Sequence, residues 1–172
     1  MSTGKKINLE NADASYIRID RMLYEKNKQS SSLAVLAIVF NALFFVSIYK
    51  SNIGSWYYTL LIGVSIVYNL LFMMITFLIS EGSKNYKVNF SYAAIVVGIL
   101  QFVRIFIYPR MAHAAETQTN DGVVNVMGNA QYIRVVLYLV ISGVCLIVSA
   151  LIGIKKCAAL NGHINLLQKD EK

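Results

Sequence analysis

Four long runs of uncharged, mostly apolar residues dominate the pattern along this chain. An α-helix rises about 1.5 Å per residue and the hydrocarbon core of a bilayer is about 30 Å thick, so about 20 apolar residues cross it. Each run is about one bilayer long. The uncharged runs cover residues 29–49, 51–80, 88–103 and 135–154.

The runs predict four transmembrane helices, because backbone groups in lipid must form their hydrogen bonds within their own helix. We expect an all-α fold: an integral membrane four-helix bundle with antiparallel, up-down topology. The predicted spans are residues 30–49, 56–79, 90–108 and 133–154, with an outer loop at 109–132, an N-terminal cytosolic segment at 1–29 and a C-terminal one at 155–172.

Composition and charge give the expected orientation. The 172 residues are 56% hydrophobic and 15% charged, far from an ordinary soluble domain. Of the 16 Lys and Arg residues, 12 lie before the first predicted span, between the second and third, or after the fourth. The positive-inside rule therefore predicts that both termini are cytoplasmic. The uneven placement of Lys and Arg that sets this topology also explains the net charge of +7, so the charge does not predict a nucleic-acid partner.

The N-terminal segment carries a narrow apolar seam at helical spacing. Its residues recur every three or four positions within a predicted helix at 8–27, and acidic and basic residues are mixed around them. A membrane-surface helix would have a strongly basic polar face, so a protein contact is expected, either with the chain's own domain or with a partner. The seam residues are Leu9, Ala12, Tyr16, Ile19 and Leu23.

A similar spacing follows the fourth span, where Cys157, Leu160, Ile164 and Leu167 predict a second short cytosolic helix, weakened by Gly162. The two terminal helices are expected either to pair or to form a platform for a partner. In the outer loop, Asn120, Asp121 and Gly122 form a turn signal that predicts a small hairpin within 117–126. The spaced ligands of a calcium loop are missing, so no metal site is predicted.

Three amide side chains, Asn41, Asn69 and Gln101, lie near the middle of the first three spans. Counted from the cytoplasmic ends, all three are about 15 to 17 Å deep. Amides in lipid are costly unless bonded, so we expect them to face inward. They serve either as interhelical hydrogen-bond contacts or as a polar site for permeation or a ligand.

Arg104 is the only charged residue in the interior of a predicted span, one turn before Tyr108, whereas Arg134 is the second residue of the fourth span. It lies about 6 Å from the outer helix end, so its guanidinium can snorkel to the headgroups. In the alternative interpretation, Arg104, Arg110 and Arg134 converge at the outer rim and bind an anionic headgroup or carboxylate.

Small residues predict close helix packing at two places. Ala94 and Gly98 in the third span, and Ser149 and Gly153 in the fourth, have the small-xxx-small spacing that lets helix backbones approach. The pattern supports packing within the bundle first and oligomerisation second.

Catalytic chemistry is not indicated. His113 and His163 fall on opposite sides of the predicted membrane, no acidic residue lies within a span, and no catalytic or cofactor motif is present. We therefore expect no enzyme, cofactor or metal, but a non-enzymatic accessory or assembly subunit that contacts membrane lipids and either a protein partner or its own copies. The alternative is a small oligomeric transporter or channel using the midplane amides; a weaker one is a lipid-modifying enzyme.

Overall fold

The computed structural model describes residues 14–48, 56–119 and 122–170, and within these ranges the chain is helical apart from one β-hairpin. The elements are α1 (Ala14–Arg21), α2 (Lys28–Ile48), α3 (Trp56–Lys84), α4 (Val88–Ala114), β1 (Glu116–Thr119), β2 (Gly122–Asn125) and α5 (Asn129–Asp170). Helices α2, α3, α4 and α5 are each long and apolar enough to cross a membrane. The prediction of four helices that are long and apolar enough to cross a membrane is thereby confirmed.

The long helices extend past the predicted spans, because charge marks the limit of the apolar run and not the end of the helix. Helix α3 continues from Ile79 to Lys84, and α4 continues through Pro109 to Ala114. Helix α5 has 42 residues, about 63 Å of helix, so the predicted separate C-terminal helix is part of it. Gly162 does not interrupt α5.

Most long apolar side chains point outward, whereas many polar ones point inward. Val46, Leu70 and Phe106 are more than half exposed, while Asn41 and Ser142 are fully buried. A water-soluble protein has the opposite arrangement for its polar groups. An apolar exterior over polar helix contacts is compatible with a lipid environment.

The four long helices contact one another in a closed order, with α2 against α3, α3 against α4, α4 against α5 and α5 against α2. Their buried apolar side chains form two clusters. On every long helix, one or more polar residues lie between the positions that enter the two clusters. The first cluster includes Ala34, Phe72, Ala94 and Leu146, and the second includes Phe44, Tyr108, Met127 and Leu139.

One end of the helices, here called the hairpin end, carries β1 and β2. The strands pair antiparallel from Glu116 opposite Asn125, so the predicted hairpin is confirmed, although residues 120 and 121 of its turn lie outside the described residues. His113 Nδ1 lies 3.1 Å from the Met127 carbonyl oxygen, and its ring stacks on Tyr132. These contacts attach the hairpin to α4 and α5.

The other end, here called the basic end, brings together α1, the start of α2, the turn between α3 and α4, and α5. The Asn27 backbone N–H donates to the Lys84 carbonyl at 3.0 Å, and Cys157 Sγ donates to the Tyr86 carbonyl at 3.1 Å. Helix α1 contacts α5, where Asp20 pairs with His163 at 3.2 Å.

The predicted N-terminal seam is described only in part. Leu9, Ala12 and the side chain of Tyr16 lie outside the described residues. Ile19 is half-buried, whereas Leu23 is 38% exposed just after the end of α1. The described helix ends at Arg21, so the predicted helix at 8–27 is shorter at its C-terminal end.

Candidate functional site

Arg104 is turned into the interior of the four helices and is only 6% exposed. The snorkelling expected from the sequence does not occur, because side chains on a helix tilt toward its N-terminus. On α4 this direction leads from Arg104 toward Gln101, away from the Tyr108 end of the predicted span. The guanidinium therefore lies deeper among the helices than the position of its Cα in the sequence indicates.

The Arg104 guanidinium is held by neutral groups of α2 and α3. Its Nη1 donates to Asn41 Oδ1 at 3.2 Å and to Asn69 Oδ1 at 2.9 Å, and its Nη2 donates to Ser65 Oγ at 2.9 Å. The rings of Phe44 and Tyr68 lie 4.2 and 4.6 Å from the guanidinium carbon. Both distances suit a cation–π contact, which stabilises the charge without neutralising it.

Gln101 extends this arrangement to α5. Its Nε2 donates to Asn41 Oδ1 at 3.1 Å and to Ser142 Oγ at 3.2 Å, and Ser142 Oγ donates to the Ala37 carbonyl at 2.9 Å. A single layer of bonded polar side chains thus connects all four long helices, and we call it the polar layer. It consists of Asn41, Ser65, Asn69, Gln101, Arg104 and Ser142.

The polar layer contains a cation but no anion. The sequence has no Asp or Glu between residues 26 and 80, between 82 and 115, or between 122 and 169. Within the described ranges, the Nδ2 atoms of Asn41 and Asn69 and the Oε1 atom of Gln101 have no hydrogen-bond partner. Buried polar atoms are usually paired, so the layer has unused capacity, and two of these three atoms are donors.

A cavity of about 170 Å³ between α3 and α4 borders the polar layer. Ser65 and Arg104 are its buried polar lining, whereas Val64, Val103 and Ile107 are apolar and about half exposed or more. The cavity therefore leads from the apolar outer surface of the helices to the guanidinium. Its remaining lining residues are Tyr68, Leu100 and Tyr108.

The three predicted arginines do not form one site. Arg110 and Arg134 are exposed, and neither is bonded to Arg104, which faces the opposite way into the interior. The predicted midplane amides are brought together: Gln101 bonds Asn41 directly, and Arg104 links Asn41 to Asn69.

The small residues predicted for packing lie at helix contacts. A Cβ added at Gly98 would lie 3.0 Å from Ile147 Cγ1, so α4 and α5 approach closely there. Ser149 Oγ donates to the Ser30 carbonyl at 2.6 Å, and a Cβ at Gly153 would collide with Ser91. Ala94 is fully buried in the first apolar cluster.

Sequence reasoning did not identify Ser65 and Ser142 as members of the layer. A signal for Ser142 existed, because it lies about 18 Å from the cytoplasmic end of the fourth predicted span, close to the depth of the three amides. Ser65 lies one helical turn before Asn69, on the same face of α3.

No protein-family model, curated protein or solved structure matches this chain. Its class is given by the structure alone: the described residues are mainly helical, with four helices suited to a membrane and one small hairpin. Its main buried polar feature is a guanidinium beside a cavity that opens on an apolar surface.

Proposed function

We propose that this chain is a non-enzymatic multi-pass membrane protein that binds an anionic amphiphile, such as a long-chain carboxylic acid. The carboxylate would bind Arg104, and the apolar chain would leave through the cavity between α3 and α4. One observation carries the proposal: a buried arginine, bonded by neutral side chains only, lines a cavity that is open to the apolar exterior.

The charge balance favours an anion. Placing an arginine at the centre of a membrane helix costs about 2.5 to 3.5 kcal/mol on insertion scales, and more in simulations. Its three hydrogen bonds to neutral groups offset this by about 0.6 to 2 kcal/mol each. They do not neutralise the charge, and a carboxylate does so with the bidentate geometry that a guanidinium prefers.

The shape of the cavity favours an amphiphile over a small ion. Its volume of about 170 Å³ is below the roughly 300 Å³ at which pockets begin to enclose a drug-sized ligand, so it has room for only part of a long molecule. Its rim residues Val64 and Ile107 are 61% and 53% exposed, so a ligand would remain in contact with the surrounding lipid. Only its charged end would be enclosed.

The proposed arrangement is an up-down antiparallel bundle with both termini in the cytoplasm. It is supported by the distribution of Lys and Arg residues along the sequence. The contacts at the basic end also support it, since the start of α2 meets the end of α3 through Asn27 and Lys84. Lys156 of α5 is bonded to Asn27 at the same place.

Thermal unfolding of the purified full-length chain in mild detergent tests the ligand class. We expect oleate to raise the unfolding temperature in a concentration-dependent way. Methyl oleate has the chain without the charge and acetate has the charge without the chain, so neither should do so. The effect should disappear in Arg104→Met and persist in Arg110→Met, a matched loss of an exposed arginine. Equal shifts by oleate and methyl oleate, or an unchanged oleate effect in Arg104→Met, would refute the proposal.

A carrier role is a second candidate, favoured by the unpaired amide atoms of Asn41, Asn69 and Gln101 in a layer that connects all four helices. Liposome flux of a carboxylate, lost in Asn69→Leu and Gln101→Leu, would support it. If the carboxylate binds but is not transported into liposomes, the chain is a binding protein and the carrier role is excluded.

The accessory role expected from the sequence is also retained as a proposal. Leu23, the last residue of the N-terminal seam, and its neighbour Tyr24 are 38% and 85% exposed, as a surface for a protein partner or a second copy requires. Native mass spectrometry from mild detergent would report copies and bound subunits. Deletion of residues 1–27 should release them, and an unchanged assembly would contradict this role.

A further inference from the structure

A second cavity, at the basic end, is surrounded by cations from three parts of the chain. It has a volume of about 730 Å³ and lies among α1, the segment from residue 22 to 29, the turn between α3 and α4, and α5. Its lining includes five cationic side chains and a single carboxylate, Glu25. The cations are Arg18, Arg21, Lys26, Lys28 and Lys156.

No carboxylate of the described residues is paired with these cations. None of the five forms an ion pair with a carboxylate of residues 14–48, 56–119 or 122–170, where the ion pairs are Lys84 with Glu81 and His163 with Asp20. The positive-inside rule explains why cations collect at a cytoplasmic end. It does not explain why five of them converge on one cavity.

Lys156 is the fixed member of the group. Its Nζ donates to Gln29 Oε1 at 2.8 Å and to Asn27 Oδ1 at 3.2 Å, so two neutral acceptors hold the ammonium at the cavity. Arg18 lines the same cavity. Two like charges at one cavity favour a bound anion.

Tyr86, which lines this cavity from the turn between α3 and α4, has a backbone conformation that is unusual for tyrosine. The amides of Tyr86 and Lys87 donate to the carbonyls of Ser83 and Gly82, which is the hydrogen-bond pattern of a Schellman helix cap. Tyr86 occupies the left-handed position of that cap with φ 55°, where glycine is the usual residue. Tyr86 therefore lines the cavity from a strained backbone position that glycine would occupy without strain.

The Tyr86 hydroxyl is able to donate a hydrogen bond to an anion. Burial raises the pKa of Tyr86, and the nearby charge of Glu25 raises it further, so the hydroxyl stays protonated at neutral pH. Tyr24, 85% exposed, supplies a second aromatic side chain at the same cavity.

We propose that this cavity binds a phosphate-bearing anion with more than one negative charge. Lysine and arginine side chains are the usual phosphate ligands, and the volume falls within the range of small-molecule sites, about 300 to 1,000 Å³. The phosphate belongs either to a soluble compound or to an anionic lipid headgroup, since basic pockets at helix ends accept both. This site is separate from the polar layer and does not depend on the function proposed for it.

Binding to the full-length chain separates the two sources. Inorganic pyrophosphate, added to protein in detergent at about 0.15 M salt, tests a soluble phosphate. Nanodiscs containing cardiolipin, whose headgroup carries two phosphates, compared with phosphatidylcholine alone, test a lipid headgroup by native mass spectrometry of the lipids that remain bound. One of the two probes should bind the wild-type chain, and binding of neither overturns the proposal.

The matched variants are Lys156→Met and Lys155→Met, which remove one charge each from adjacent residues. Lys155 is exposed and does not line the cavity. We expect Lys156→Met to weaken binding by about tenfold or more, the loss of one charge-assisted contact, and Lys155→Met to weaken it by less than about threefold. Equal losses would show diffuse charge attraction and refute the site.

The Tyr86→Gly variant tests whether weaker binding results from loss of the fold. Glycine relieves the left-handed backbone, so the variant should unfold at a temperature equal to or above that of wild type while binding the probe more weakly. If Tyr86→Gly binds as tightly as wild type, Tyr86 has no role in the site. If both Arg18→Gln and Lys156→Met also bind normally, the cavity is not the binding site.

Discussion

Replacing Arg104 with methionine tests whether this residue holds the helices together or is kept for a ligand. The change removes three hydrogen bonds, to Asn41, Asn69 and Ser65. At about 0.6 to 2 kcal/mol each in a membrane, they amount to roughly 2 to 6 kcal/mol. Two cation–π contacts with Phe44 and Tyr68 add about 0.5 to 2 kcal/mol each.

The same change also removes an unneutralised buried cation, which costs several kilocalories per mole, and methionine fills much of the space with a flexible apolar chain. The opposing terms are similar in size. We therefore expect the free energy of unfolding of the ligand-free chain to change by less than about 2 kcal/mol in either direction.

The assay is reversible unfolding by SDS in detergent micelles, followed by circular dichroism at 222 nm, with Arg110→Met as the control for loss of an exposed arginine. A destabilisation above about 4 kcal/mol in Arg104→Met alone would contradict this expectation. It would show that the guanidinium supports the four helices, and the functional interpretation would lose its physical basis.

Three further outcomes follow from the contacts. Gly153→Ala should destabilise the chain by about 1 to 3 kcal/mol, because its Cβ meets the Ser91 side chain, whereas Gly162→Ala, in open space on the same helix, should stabilise it by up to about 1 kcal/mol. Ser149→Ala should cost about 1 kcal/mol by removing the bonds that its hydroxyl forms with Ser30. Reporter domains fused to the two termini should both report a cytoplasmic location.

Each of these outcomes has a clear contrary result. If the two glycine variants have equal unfolding midpoints in the SDS titration, α5 does not pack closely at Gly153. If Ser149→Ala unfolds as wild type does, its hydroxyl contacts contribute no net stability. Reporters active in opposite compartments would contradict the proposed topology.

The four spans could be predicted because hydrocarbon excludes charge over a fixed length, and the length of each uncharged run can be read from the sequence. The helix ends could not. Pro109 and Lys155 directly follow the third and fourth predicted spans, yet α4 and α5 continue beyond them, because neither residue ends the backbone hydrogen bonding of its helix. A proline near the last turns of a helix removes one donor without ending it.

The site was predictable only in part. A depth count placed Asn41, Asn69 and Gln101 at one level, and Arg104 joins them in the structure. The predicted direction of the Arg104 side chain was wrong because the depth was counted at its Cα, whereas a long side chain on a helix reaches about one turn toward the N-terminus. The cavity between α3 and α4 depends on how two helices pack, which no spacing within one helix determines.

Photolabelling with a long-chain fatty acid that carries a diazirine near its carboxylate tests the central claim most directly. If Arg104 binds the carboxylate, peptide mapping will place the label on cavity residues such as Val64, Val103 and Ile107, and Arg104→Met will remove it while Arg110→Met will not. Label spread evenly over the exposed apolar surface, with no change in Arg104→Met, would contradict the claim.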